Sequence, residues 1–130
     1  MFSFNTSTII KYMKNNMPPI QNPLKLNPLQ LRTLTILQQL ARFPETSSKN
    51  KETGEVMISN LPSPHGSHFH CGDAVVEAKN ATGLRNQGVW KALERKGLAR
   101  AFFPVGIALT PEGVNYDTAL SKTILRRPDH

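Results

Sequence analysis

The sequence predicts a single α+β domain with a three-helix core, a small antiparallel sheet and a C-terminal helix. The chain has 130 residues, and one folding unit typically holds about 100–150. Apolar residues recur at helical spacing in several segments, and short apolar runs lie between them. Prolines and glycines mark the boundaries between these segments. We therefore predict a domain over residues 27–120, a mobile basic N-terminal arm over 1–26 and a basic C-terminal tail over 121–130.

The first predicted helix covers residues 27–42. Asn27 is a suitable N-cap, Pro28 fits the first helical position, and Gln30 can complete a capping box. Pro44 ends the helix at about Arg42, because proline disfavours helical geometry in the residue before it. The apolar positions at helical spacing are Leu31, Leu34, Leu37 and Ala41, and they predict a core element.

The middle of the chain predicts short elements separated by loops. They are an exposed loop over 45–55, a strand over 56–58, a loop over 60–66, a strand over 67–71 and a helix over 74–81. We expect the two strands to pair with each other as a hairpin. Asp73 is a suitable N-cap for the helix, and Thr82-Gly83 would end it.

The last third of the chain predicts a helix, a hairpin and a final helix. The first of these helices runs from 84 to 96 and closes at Gly97. Its inward stripe is Val89, Ala92 and Leu93, with Trp90 at the border. Strands over 98–102 and 106–109 follow, joined by Phe103-Pro104-Val105. Thr110-Pro111-Glu112 has the form of a helix start, and the final helix would extend to residue 120.

Three segments of this region carry a resemblance to a known family. ATGLRNQGVWKAL (81–93) resembles the turn and recognition helix of winged helix regulators. ERKGLAR (94–100) is similar to their helix end and first wing strand. GIALTPEG (106–113) resembles the second wing strand and the next helix cap, as in MarR-type proteins. The chain thus resembles winged helix-turn-helix DNA-binding proteins, which implies a small transcriptional regulator that binds duplex DNA.

The resemblance implies that helix 84–96 reads the DNA. A recognition helix buries one face and offers polar or basic side chains to base edges with the other. Bidentate contacts of arginine with guanine, or of asparagine and glutamine with adenine, discriminate by about 1–3 kcal/mol each. A palindromic target would require a homodimer. The candidate base contacts are Arg85, Asn86, Gln87 and Lys91, and the candidate phosphate contacts are Arg95, Lys96 and Arg100.

The charge distribution favours a polyanionic partner. The formal net charge is +7, and residues 1–44 carry five basic side chains and no acid. Residues 81–130 carry eight basic side chains against four acids. Such an excess promotes binding to phosphates by counterion release. The predicted wing lacks a cation at its tip, however, so Phe102, Phe103 and Val105 predict a protein-docking surface as the alternative function.

A histidine cluster predicts a further alternative, a metal-responsive regulator. Imidazole and thiolate are common ligands of zinc, and the candidates here are His65, His68, His70 and Cys71. On a strand, His68 and His70 would share one face while Cys71 points to the other. The competing interpretation is an exposed loop edge with Cys71 buried as a small apolar residue, in which case no metal or other cofactor binds.

Several classes of function are not predicted. A single cysteine leaves no internal disulfide, and no apolar run reaches the roughly 18 residues of a membrane span. The N-terminal residues do not resemble a secretory signal, so we expect a cytoplasmic protein. No phosphate-binding glycine loop or hydrolase motif is present. Adjacent His70 and Cys71 would point apart, which disfavours a thiolate nucleophile. We therefore do not predict an enzyme.

Overall fold

The computed structural model describes residues 22–127, and it confirms the α+β class. The arm residues 1–21 and the tail residues 128–130, including His130, lie outside the described part. The helices are α1 (Pro28–Leu40), α2 (Gln87–Arg95), α3 (Pro111–Asn115) and α4 (Ser121–Ile124), with a 3-10 turn at Ala78–Asn80. The strands are β1 (Ser47–Lys49), β2 (Val56–Ile58), β3 (His68–Cys71), β4 (Ala74–Glu77), β5 (Ala99–Phe102) and β6 (Gly106–Leu109).

The predicted start of α1 is confirmed in atomic detail. The backbone N–H of Gln30 donates to Asn27 Oδ1 at 2.8 Å, and the Asn27 N–H donates to Gln30 Oε1 at 3.0 Å. This reciprocal capping box satisfies two N–H groups that a helix start otherwise leaves unpaired. The helix ends at Leu40, with Ala41 as its C-cap. Its buried face, which includes Leu34, Ile36, Leu37 and Leu40, forms one side of the core.

Four strands form one antiparallel sheet in the order β1-β2-β6-β5. The predicted β5–β6 hairpin is confirmed, with Ala99 opposite Leu109 and Phe102 opposite Gly106. On its other side β6 pairs with β2, where Val56 lies opposite Leu109. All four residues of β6 are buried, as expected for an inner strand that is paired on both sides.

Strand β1 lies inside a segment predicted as a loop. It pairs with β2 in the register Ser47 to Ile58. The connecting turn is closed by the Asn50 N–H, which donates to the Glu55 carbonyl at 2.8 Å. A polar edge strand of three residues has no apolar alternation to reveal it, and its stability comes from the neighbouring strand.

The predicted helix over 74–81 is wrong, because Ala74–Glu77 is strand β4. β4 pairs with β3 in a separate two-stranded sheet, so the predicted pairing of β3 with β2 is also wrong. Two features favour the strand. Buried Ala74 and Val76 alternate with half-buried Val75 and Glu77, a period of two. Gly72 at φ +62° occupies the first position of a two-residue turn, where hairpins of type II′ place glycine.

The final predicted helix is shorter than expected. Thr110 caps α3 by accepting from the Gly113 N–H at 3.1 Å, as its cap motif predicts, but the helix stops at Asn115. A Cβ at Gly113 would collide with the Leu98 carbonyl. This close contact with the chain before β5 fixes α3 in place. The next residues turn inward, and the Thr118 hydroxyl bonds that of Thr35 at 2.6 Å.

The described part of the predicted tail packs against the domain. The Val75 N–H donates to the Arg126 carbonyl at 2.7 Å, and the Arg126 N–H donates back at 3.0 Å. Arg127 Nε lies 3.3 Å from the Asp73 carboxylate. The Gln39 amide, together with Arg127, lowers the pKa of Asp73 below its ordinary value. Arg126 thus extends the edge of the β3–β4 sheet, and the described part of the tail remains packed on the domain.

The described end of the predicted arm is also packed. Leu26 is buried, and the Leu24 N–H donates to the hydroxyl of Tyr116 at 3.1 Å. These contacts tie residues 22–26 to the segment after α3. One hydrophobic cluster joins α1, α2 and both sheets, so the two candidate regions described next share one core.

Candidate functional site

Helix α2 is the structural counterpart of the predicted recognition helix. It begins at Gln87 rather than at residue 84, because Asn86 is the N-cap and its side chain accepts from the Val89 N–H at 3.2 Å. The predicted stop at Gly97 is confirmed. Gly97 has φ +77°, and the Leu98 N–H donates to the Leu93 carbonyl at 3.0 Å, as in a Schellman motif.

The two faces of α2 differ sharply in burial. Val89, Ala92 and Leu93 are buried as predicted. Trp90, predicted at the border, is fully buried, and its Nε1–H donates to the Leu84 carbonyl at 2.9 Å. The exposed face consists of Gln87, Gly88, Lys91, Glu94 and Arg95.

Two of the four candidate base contacts are already engaged within the protein. Asn86 is occupied as the N-cap. Arg85 Nη2 donates to the carbonyls of Leu61 and Pro62 at 3.2 and 3.3 Å. The other two, Gln87 and Lys91, are exposed and make no side-chain hydrogen bond or ion pair within residues 22–127. Arg85 therefore has an anchoring role that the sequence did not reveal.

The three candidate phosphate contacts also differ from one another. Arg95 is exposed and has no ion-pair partner among the described residues. Lys96 Nζ donates to the Leu24 carbonyl at 2.8 Å. Arg100 forms a two-pronged ion pair with Glu55, with Nη2 to Oε1 at 2.6 Å and Nε to Oε2 at 3.0 Å. Glu55 raises the pKa of Arg100.

Whether a cation is bonded to a carbonyl or to a carboxylate decides how much positive charge remains on this surface. A carbonyl is neutral, so Arg85 and Lys96 keep their full charge at the surface. The Glu55 carboxylate compensates the charge of Arg100. Arg100 is therefore a weaker phosphate-contact candidate than predicted, because a phosphate would have to compete with an existing bidentate partner.

The wing tip is apolar and exposed. Phe102, Phe103 and Val105 have 42%, 38% and 76% of their surface accessible. The Phe103 ring meets Trp90 edge to face, with centroids 4.9 Å apart. The Arg100 guanidinium lies over the Phe102 ring at 5.4 Å. The tip thus packs partly on α2 and leaves Val105 as its most exposed apolar side chain.

The histidines meet on the β3–β4 hairpin. His68 and His70 share a face of β3. The chain turns at Gly66 (φ +72°), so that the backbone N–H of His65 donates to the backbone carbonyl of His68 at 2.7 Å. One ring nitrogen from each of the three histidines lies within 4.8 Å of the other two. Ring centroids are 4.9–5.6 Å apart.

Cys71 does not belong to this group. It is fully buried in the core, on the opposite face of β3. Burial raises the pKa of its thiol to about 11, which disfavours the thiolate that metals and electrophiles require. The predicted set of four ligand candidates is therefore reduced to three.

The fold also forms a basic cleft that the sequence does not predict. It lies between α1 and α4, has a volume of about 470 Å³, and Arg42, Lys122 and Arg127 are among its lining residues. Arg42 lies some eighty positions before Lys122 and Arg127 in the chain, so no local motif could reveal the cleft.

Comparison of the chain with protein-family models, curated proteins and solved structures finds no match. Among residues 22–127, no helix combines the length and the apolar character that crossing a membrane requires.

Proposed function

We propose that this chain is a cytoplasmic transcriptional regulator of the winged helix type that binds duplex DNA with the outward face of α2. One observation carries the proposal. Four exposed cations lie on α2 and at its ends, and no acid among the described residues forms an ion pair with them. They are Arg85, Lys91, Arg95 and Lys96. A local excess of positive charge attracts phosphates and raises association rates.

The shape of α2 fits this role. Gln87, Lys91 and Arg95 follow each other at intervals of four residues, so they form one row along the exposed face. An α-helix fits the major groove of B-DNA, where amide and cationic side chains contact base edges. Gln87 and Lys91 are near the start of the row and are the better base contacts. Arg95, at the far end, is the better phosphate contact.

A titration with random-sequence duplex DNA at several salt concentrations tests the proposal. The best variant combines Lys91→Ala with Arg95→Ala, because neither side chain bonds another described residue. Arg85→Ala is less informative, since it would also release the chain at Leu61 and Pro62. Loss of the Arg95 phosphate contact should reduce the slope of log K against log salt by roughly 0.9, and loss of Lys91 should weaken binding further.

A matched control removes the same charge elsewhere. Lys51→Ala combined with Lys122→Ala lowers the net charge equally, and both lysines are exposed away from α2. This control should keep most of the wild-type salt slope. An equal loss in both double variants would show that only net charge matters. Absence of binding even at low salt would refute the proposal.

The exposed apolar wing favours docking of a protein partner as the second candidate function. Val105→Lys tests whether the wing takes part in DNA binding, because this side chain is largely exposed and tolerates a charge. If the wing lies along DNA, the added cation should tighten DNA binding. If it docks a protein, DNA affinity should not change. Sedimentation of the same variant then tests self-association, since a homodimer that uses this surface would dissociate.

A further inference from the structure

We propose that His65, His68 and His70 form a binding site for one divalent transition metal ion of the zinc class. A tetrahedral zinc site with Zn–N bonds of 2.0–2.1 Å places its nitrogens roughly 3.3 Å apart. The three imidazole nitrogens already lie within 4.8 Å of one another. Small rotations of the rings would close the remaining distance, so no rearrangement of the backbone is needed.

The backbone holds the three histidines in this arrangement without a metal. β3 and β4 are paired along their length, from His68 opposite Glu77 to Cys71 opposite Ala74. The turn that carries His65 is fixed by its hydrogen bond to His68 and by the Ala78 N–H, which donates to the Ser67 carbonyl at 2.8 Å. A site that is formed before binding loses less conformational entropy when the ion enters.

The ring nitrogens are also free to coordinate. Within residues 22–127 none of the three side chains hydrogen-bonds to another protein group, and His65 and His70 are exposed. The three rings contact one another. Glu77 lies opposite His68 across the hairpin, and its carboxylate is 4.0 Å from Lys79 Nζ, so the site itself consists of the three imidazoles alone.

The donor set selects the kind of metal. Three neutral nitrogens suit zinc, copper, nickel or cobalt, whereas calcium and magnesium require oxygen ligands. Cys71 is buried on the other face of β3 and supplies no thiolate. Three protein ligands leave a fourth position for water or a small anion, as in open zinc sites rather than closed structural ones.

Calorimetric titration of the full chain with zinc chloride tests the site. We expect one ion per chain. Replacing any one of His65, His68 and His70 by alanine should weaken binding at least tenfold, because a chelate needs all three. His130→Ala, which removes the remaining histidine of the sequence, should leave the affinity unchanged. A His130→Ala loss as large as that of His68→Ala, or independent weak binding by single histidines, would overturn the proposal.

Cobalt(II) gives a second readout that does not depend on affinity. The wild-type complex should show visible absorption without the intense near-ultraviolet band of a cobalt–thiolate bond. Cys71→Ala should leave this spectrum unchanged. Added azide should shift it by entering the fourth position. A thiolate band would place Cys71 in the site, and absence of any azide effect would show that the fourth position is closed; either result contradicts the site as proposed.

Discussion

The exposed face of α2 and the exposed face of the β3–β4 hairpin both present candidate binding groups, but they present them differently. On α2 the cations follow one another along a helix, and some bond their own protein. On the hairpin three identical rings converge on one point and bond no other protein group among the described residues. A row of positive charges specifies little more than that the partner carries negative charge. Converging ligands specify its size, charge and coordination chemistry.

The two regions also differ in how the fold supports them. α2 is anchored by a face of four buried side chains, of which Trp90 is the largest. The hairpin is tied to α1 by Gln39, whose amide donates to the Cys71 carbonyl at 3.0 Å and to Asp73 at 2.8 Å. Arg126 pairs with its outer edge. A substitution can therefore disturb the local structure of one region more than that of the other, although both regions pack on one core.

The largest effect is expected for Trp90→Ala. This change removes a fully buried aromatic side chain and leaves the Leu84 carbonyl without its donor. We expect the free energy of unfolding to fall by about 3–5 kcal/mol, measured by urea unfolding with circular dichroism. Trp90→Phe should cost less. Because the core is shared, zinc binding should be lost at the same urea concentration as the helical signal. Zinc binding that survived the loss of α2 would show two independent folding units.

The thiol of Cys71 reports on the buried side of the hairpin. A pKa of about 11, raised from 9.0 by burial, lowers the thiolate fraction at pH 8 roughly 100-fold. The rate of alkylation by iodoacetamide should therefore be very low near neutral pH and should rise up to about pH 11. The reagent should react freely once urea unfolds the chain. A rate plateau near pH 8.5 would contradict the buried position.

Gly72→Ala should damage the hairpin selectively. A side chain at φ +62° costs about 1–2 kcal/mol, and its Cβ would also overlap the Phe43 ring. Gly97→Ala is a matched control at the end of α2, with φ +77° and nothing within 4 Å of the added carbon. Both variants should lose stability, and Gly72→Ala should lose more. Zinc affinity should fall only in Gly72→Ala, so an equal fall in both would remove the distinction between the two regions.

Local hydrogen bonding explains which parts of the fold the sequence predicts correctly. The capping box at Asn27, the Schellman stop at Gly97 and the cap at Thr110 each depend on residues within about five positions of one another. The alternation of β3 likewise predicts that His68 and His70 share a face opposite Cys71. These features need no knowledge of the rest of the fold.

Long-range pairing explains what the sequence does not predict. β4 has a helix-compatible composition, and the edge bridge from Val75 to Arg126, some fifty positions away, supports it as a strand. The partners of Arg85 and Arg100 lie more than twenty positions away, at Leu61 and Glu55. The residue types on α2 were therefore predictable, but which of its cations are already engaged was not.

The smallest effect is expected for Glu55→Gln, which tests whether the ion pair between Arg100 and Glu55 limits DNA binding. The substitution frees the guanidinium of Arg100, which would then act as one more phosphate contact. At low salt DNA should bind a few-fold more tightly, and the slope of log K against log salt should steepen by roughly 0.9. Glu52→Gln is the control, because Glu52 lies in the same turn and is exposed, and no ion pair of the described residues includes it. It changes the net charge equally but leaves Arg100 paired. If both variants steepen the slope alike, Arg100 lies away from the DNA and the contact surface ends with α2. If only Glu55→Gln does so, the surface extends from α2 onto strand β5.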